Sequence, residues 1–240
     1  MDFSNRFVSE CREYSSYVQH VKAPVFRKSF VLKEGSQSGE ILICGLGFYD
    51  LFINGEKITK GYLAPYISNT DHIVYYDHYD LTPWLKAGEN VIGVMLGDGF
   101  QNSKTRVWDF MDNVFNSAPK LALSMKVESD GEKQEFDAMD FSCKKGPIFF
   151  NDLRSGVFFD KREEEKGWDQ PGFQEDENWH KPILADRPRG KAKLCEAEPI
   201  AVVEERKPVK IWKGALADYT PRGDVPEGLC GQTTPESGLE

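Results

Sequence analysis

Two groupings of side chains in this sequence have the ingredients for recognition chemistry. Trp108 lies next to Asp109, with Asn102 and Arg106 just upstream, and Trp168 lies next to Asp169, with Asn151, Asp152 and Arg162 ahead of it. An indole face suits the apolar side of a saturated ring, while planar carboxylate, amide and guanidinium groups match adjacent hydroxyls in pairs. Either grouping could therefore hold a sugar. The competing account is structural: aromatics in irregular segments also cover the ends of a core, and Asp160 with Arg162 is then an ordinary ion pair.

Bond-breaking chemistry is harder to assemble. Glycosidic hydrolysis needs two carboxylates flanking the bond, one protonated and one ionised. The 39 acidic residues offer no privileged pair. The densest run, Glu163 to Glu165 between Arg162 and Lys166, reads as a solvated charge cluster. His20, His72, His78 and His180 lack metal-ligand spacing, and His78, close to Asp77 and Asp80, reads as a structural histidine. A Gly-x-Ser-x-Gly nucleophile signature is missing. Gly45-Leu46-Gly47 and Gly97-Asp98-Gly99 lack the further glycine and the following helix of a phosphate loop, so they read as tight turns or close backbone approaches. Cys11, Cys44, Cys143, Cys195 and Cys230 are scattered and odd in number, which disfavours a zinc knuckle, a redox pair or a disulfide framework. Neither a metal nor a cofactor is expected.

The elements that must position these groups are strands. Tyr49, Leu51 and Ile53 alternate with Phe48, Asp50 and Phe52, the pattern of a half-buried strand. Asn54-Gly55 supplies a hairpin turn, since both residues tolerate positive φ, and Glu56 to Thr59 returns. Pro24 opens Val25 to Leu32, a polar turn over Gly35 to Gly39 leads into Glu40 to Cys44, and Ile73 to Tyr76 forms another strand. Thr82 is placed to cap a short helical turn with Pro83 at its first position and Gly88 beyond its end. Val91 to Leu96 is apolar enough to be buried on both faces. Leu121 to Val127 alternates, turns at Asp130-Gly131 and returns over Lys133 to Ala138. The long aromatic loop Phe100 to Pro119 has the length at which loops become functional. Residues 140 to 180 are irregular, and strands are expected again at Pro199 to Glu204 and Val209 to Trp212. In residues 1–24, Phe3, Phe7, Tyr14 and Val18 have helix-like spacing but weak capping, so this part reads as a leader packed across the body.

Composition sets the outer bounds. A chain of 240 residues with 40% hydrophobic and 29% charged content can bury one sizeable core. A net charge of −9 repels phosphate backbones, which disfavours nucleic acid and anionic membrane as partners. No run approaches the length of a transmembrane helix. The first twenty residues lack the basic-then-apolar layout of a signal peptide, which implies a cytoplasmic protein if Met1 is the natural start.

The order of these elements resembles a known family. Ile53-Asn54-Gly55, then Tyr79-Asp80-Leu81-Thr82, then Leu85, Gly88, Asn90 and Leu96-Gly97-Asp98-Gly99 is similar to the N-terminal domain of bacterial α-L-rhamnosidases. Gly146-Pro147-Ile148, Asn151-Asp152, Phe159 to Glu163 and Gly167 to Phe173, closing with Asn178-Trp179, form a second matching block. The resemblance implies an all-β fold: an antiparallel β-sandwich of the galactose-binding, jelly-roll kind, with irregular loops and little helix, over residues 25–206. Residues 207–240 depart from the resemblance and read as the start of a following β-domain, a truncated or poorly ordered tail. The family removes terminal α-L-rhamnose with a helical catalytic domain that this chain lacks, so its catalytic acidic run is not the Glu163 to Glu165 cluster. Three readings follow: an ancillary domain partnering that catalytic domain and rhamnose-containing glycosides; an independent carbohydrate-binding module; or a complete hydrolase working through Glu163 to Glu165 or Asp98.

Overall fold

The computed structural model describes residues 1–16, 19–102, 117–153 and 156–210, together with the backbone of two short strands further on, Gly214–Leu216 and Thr233–Pro235. Trp108, Asp109 and Arg106 fall outside the described residues.

The chain builds two antiparallel layers. The first contains β1 (Val8–Ser9), β3 (Gln37–Leu46), β6 (Ile73–Asp80), β8 (Lys120–Ser129), β9 (Glu132–Asp137), β13 (Ile183–Leu184) and β14 (Lys191–Leu194), in the order β13-β1-β8-β3-β6-β14, with β9 on the same edge of β8 as β1. The second runs β10 (Ser142–Lys145), β2 (Pro24–Leu32), β7 (Gly88–Leu96), β4 (Tyr49–Ile53), β5 (Glu56–Lys57). A separate hairpin, β11 (Ile148–Asp152) with β12 (Gly156–Phe159), pairs with neither layer. The expected antiparallel all-β sandwich is what forms, and helix is confined to three-residue 3₁₀ turns among the described residues.

Alternation explains the layering. Tyr49, Leu51 and Ile53 of β4 point inward, as do Ile41 and Ile43 of β3 and Leu121, Leu123, Met125 and Val127 of β8, and together they make the main core. Each such side chain contributes roughly 1.5–3 kcal/mol on full burial. β7 lies between β2 and β4 and is buried from Asn90 to Val94, which accounts for its continuous apolar run. At the β4–β5 turn Asn54 and Gly55 both take positive φ, 51° and 86°. Asn54 also ties the turn down: Oδ1 accepts the Val91 N–H at 2.9 Å and Nδ2 donates to the Trp84 carbonyl at 3.1 Å.

Several expectations are corrected. Among its described residues, which exclude Val18, the N-terminal segment forms no helix; its Val8–Ser9 pairs with β8 and β13, and Phe7 and Phe3 cover Cys44, Leu46, Val74 and Ala122 on the outer side of the first layer. Thr82 is not a cap. Leu81 stands at that position, the Asp80 carboxylate accepts the Thr82 N–H at 2.9 Å, and Thr82 Oγ1 accepts the Gly39 N–H. β14, unexpected, adds to β6 as a parallel edge strand. Residues 199–204 form no strand: Ile200 makes an isolated bridge to Tyr62, and Val203 is 98% exposed with no sheet edge beside it. Of Val209 to Trp212, Val209 and Lys210 lie outside any strand, and the remainder is beyond the described residues.

Candidate functional site

Trp168 is not an open platform. The segment from Gly167 to Trp179 folds back over the outer face of the second layer, where Trp168 and Trp179, each 8% exposed, pack with Val25, Phe52, Met95 and Phe173. Beneath it Gly93 leaves room for the indole, since a Cβ there would meet the ring at 3.0 Å. Arg27 of β2, 3% exposed, is the internal strut: Nε donates to the Trp168 carbonyl at 2.9 Å, Nη1 pairs with Glu175 at 2.7 Å, and the guanidinium lies 5.2 Å from the Phe173 ring centre. Glu165 completes the cover, accepting from Lys144 and from the Trp179 indole N–H. Asp169, half-buried here, has its carboxyl raised by burial.

The second grouping is thereby dispersed. Arg162 is exposed and held bidentately by Asp160, whose carboxyl the guanidinium and the Arg162 backbone N–H hold down at about 2. Arg162 lines a charged groove with Glu163, Glu164, Glu165, Lys22 and Lys144, while Asn151 and Asp152 lie on β11 beside a different cleft. Of the first grouping, Asn102 is described, and it is fully buried: Oδ1 accepts the Ser15 N–H at 2.6 Å and Nδ2 donates to Asp98 Oδ1 at 2.7 Å.

Asn151 connects to that same knot, because its Oδ1 accepts the Asp98 N–H at 2.6 Å. Gly47 and Gly97 meet back to back at this end of the sandwich; a Cβ on Gly47 would stand 2.1 Å from the Gly97 carbonyl. These turns are the close backbone approach that their glycines suggested. They leave a cleft of about 470 Å³, lined by Asn151, Asp152 and the Asp50–Lys57 ion pair at 2.6 Å together with Tyr62, Leu63, Met95 and Val157. Apolar side chains interspersed with an amide, carboxylates and an ammonium are the ingredients that suit a sugar ring.

Two further polar clusters escaped sequence reasoning. The Tyr49 hydroxyl donates to Asp77 Oδ2 at 2.6 Å and stands 3.0 Å from the Tyr79 hydroxyl; burial raises the Asp77 carboxyl, which borders a second cleft, between Lys60–Tyr66 and residues 194–200. The alternation of β4 was readable, but not that β6 would run on past Tyr76 and bring Asp77 and Tyr79 to Tyr49. Contrary to the pairing with Asp77 or Asp80, His78 Nε2 meets Glu40 at 3.1 Å. Cys143, His180 and Glu10 form a chain, with Sγ 3.7 Å from Nδ1 and Nε2 3.2 Å from Oε1. That chain is no nucleophile, since burial, with Glu10 beside it, pushes the fully covered Cys143 thiol up to about 12.

Comparison with known proteins now bears on these sites. Residues 36–204 match the family described as the alpha-L-rhamnosidase N-terminal domain. This chain belongs to that family. An α-L-rhamnosidase of Formosa agariphila is 30% identical over 205 residues, covering 82% of this chain and 21% of its own length. The solved α-L-rhamnosidase of Dictyoglumus thermophilum superposes with a TM-score of 0.74 at 30% identity, over 86% of this chain and 24% of that one. The Streptomyces avermitilis α-L-rhamnosidase, solved with L-rhamnose, has a TM-score of 0.61 at 26% identity, over 76% of this chain and 17% of its own. The chain thus spans roughly a fifth of these relatives. As a rhamnosidase N-terminal domain it contains every candidate residue, from Asn102 to Trp168, inside the matched region.

Proposed function

We propose that this chain is the ancillary N-terminal part of an α-L-rhamnosidase-like glycoside hydrolase, shaping the enzyme and contacting its carbohydrate while a separate helical domain breaks the bond. The observation that carries this reading is the family match over residues 36–204 joined to the fraction of each relative that it represents. The sandwich is assigned to residues 25–206, with residues 1–24 as its strap and residues 207–240 as the approach to a following β-domain.

The partners are the catalytic domain of the parent enzyme and rhamnose-containing glycosides. The sugar-contacting residues are assigned to the cleft, with Asn151 and Asp152 foremost. Trp168 belongs to the cover next to it, Arg162 to the charged groove and Asn102 to the buried knot with Asp98 and Ser15; Arg106, Trp108 and Asp109, also proposed as sugar contacts, lie outside the described residues. Cleavage of an aryl α-L-rhamnoside by this chain alone is the discriminating assay. No release is expected; release by this chain would discard the ancillary reading, and its loss when Glu163 to Glu165 are changed to Gln would assign it to that cluster. Titration with L-rhamnose tests the cleft separately: binding in the millimolar range that Asp152→Ala abolishes supports it, and no heat at millimolar sugar removes it.

A further inference from the structure

We propose that the apolar strip running from the β11–β12 hairpin across the cleft to Ile200 is the face on which the remainder of a rhamnosidase polypeptide docks; this rests on the ancillary reading above. The strip is formed by Leu153 and Val157 on the hairpin, Tyr62 and Leu63 across the cleft, and Ile200 beyond them. All five are exposed, Val157 at 68%, Ile200 at 50% and Leu63 at 47%. Scattered exposed apolar side chains need no explanation, but a contiguous run of them marks a contact surface.

The hairpin itself points the same way. A two-stranded ribbon is marginal in water without a further layer. Here β11 and β12 pair with each other and join neither sheet of the sandwich, anchored by Phe150, which is 3% exposed, and by the Asn151 contact to Asp98. The fold holds the ribbon upright with much of its apolar surface facing outward.

The occupant follows from where the chain travels. The Tyr62 N–H donates to the Ile200 carbonyl at 3.0 Å, fixing the departing segment beside the strip, and residues 201–210 then run exposed, Val209 at 105%. Whatever is joined through this segment is delivered next to the apolar surface, and in the relatives about four-fifths of the protein is not matched by this chain. A second copy is disfavoured, because each carries a net charge of −9. A sugar in the cleft would leave Ile200 uncovered. Domain interfaces within one chain, of several hundred Å² and mixed polarity, match a strip of this composition.

The test replaces the matching domain of the Dictyoglumus thermophilum enzyme with this chain, and compares the unmodified fusion with one carrying Leu63→Asp and Val157→Asp. The readouts are the proteolysis rate across residues 201–213 and the radius of gyration in solution. The paired substitutions should speed cleavage by at least about tenfold, which corresponds to ~1.4 kcal/mol of lost docking, and should expand the particle. Val31→Asp, an exposed control elsewhere on β2, should change neither. The isolated 240-residue chain must melt alike with and without the pair; if it does not, Ile200→Asp, in a segment without strand structure, carries the same comparison. Equal resistance in the unmodified and substituted fusions overturns the strip. An unmodified fusion cut across residues 201–213 as fast as the isolated 240-residue chain overturns the ancillary reading instead. An isolated chain that sediments as a dimer and is dissolved by Val157→Asp assigns the surface to a second copy and overturns the proposal.

Discussion

Two neighbouring aromatic segments end in opposite states. Residues 148–159 carry Phe149, Phe150, Phe158 and Phe159 on a free hairpin with three of the four exposed, whereas residues 167–179 carry Trp168, Phe173 and Trp179 pressed onto the second layer. Their compositions are alike, aromatic and charged in both. What separates them is the support beneath. Trp168 sits over a glycine and is gripped through its carbonyl by a buried arginine, while the hairpin has one inward phenylalanine and hydrogen-bonds across itself. An aromatic with polar neighbours is a recognition surface only where the underlying sheet leaves it uncovered, and here Gly93 and Arg27 decide that.

The strongest way to break the comparison is Trp168→Ala. A cover that contributes to stability loses its largest side chain and leaves a void over Gly93, so the expected loss is about 3–5 kcal/mol in a urea melt. If Trp168 were instead a free platform, the loss would be near zero and sugar affinity would fall.

Arg27→Met asks whether the grip matters as much as the indole. The substitution keeps apolar bulk on β2 but removes the donor to the Trp168 carbonyl and the partner of Glu175. Stranding a fully buried charge would cost more, but Glu175 remains 34% exposed at its side chain and can turn to water. The expected loss is therefore about 1–3 kcal/mol, in the range of an unsatisfied buried acceptor.

How much of this was legible follows from which forces are local. Asn54-Gly55 and Asp130-Gly131 announced their turns because positive φ is a property of single residues, and all four take it. β7 announced its burial by composition. β1 was hidden because two residues of strand carry no periodicity, and β14 because its four residues are all exposed and join an edge through backbone groups alone. Of the residues grouped by type, Asn151 and Asp152 line the cleft, while Trp168, grouped with them in the sequence, lies under the cover on the second layer. The apolar lining comes from Tyr62, Leu63 and Val157, brought in by a loop and by β12, whose meeting no spacing encodes. Trp168 was selected for its neighbours in sequence, and its neighbours in space are hydrophobic.

Asp169→Asn sharpens the comparison through pH. Burial raises the Asp169 carboxyl above its ordinary value, so the folded state holds the proton more tightly than the unfolded chain does. That contribution to stability is fully present below the unfolded value, about 3.9, and is lost as pH rises through the folded value. Asn keeps the shape and removes the charge. The variant should melt at a higher temperature than the parent near neutral pH, and the two should converge in acid. Parallel melting curves across that range would place Asp169 in open water and loosen the cover.

The smallest effect is expected on the other member of the pair. Val157→Asp puts a charge on a side chain that is already 68% exposed, opposite Asn151 in the hairpin register and away from the Phe150 anchor. Little apolar area leaves water in the isolated chain at this position, so its stability should change by less than about 0.5 kcal/mol, as exposed substitutions do. The contrast with Trp168→Ala is the point: similar residues on adjacent segments, with stability costs several-fold apart or more. A loss above about 1.5 kcal/mol at Val157, the amount that burying a valine contributes, would mean that the ribbon is packed against the body in solution, and the two segments would then be two covers.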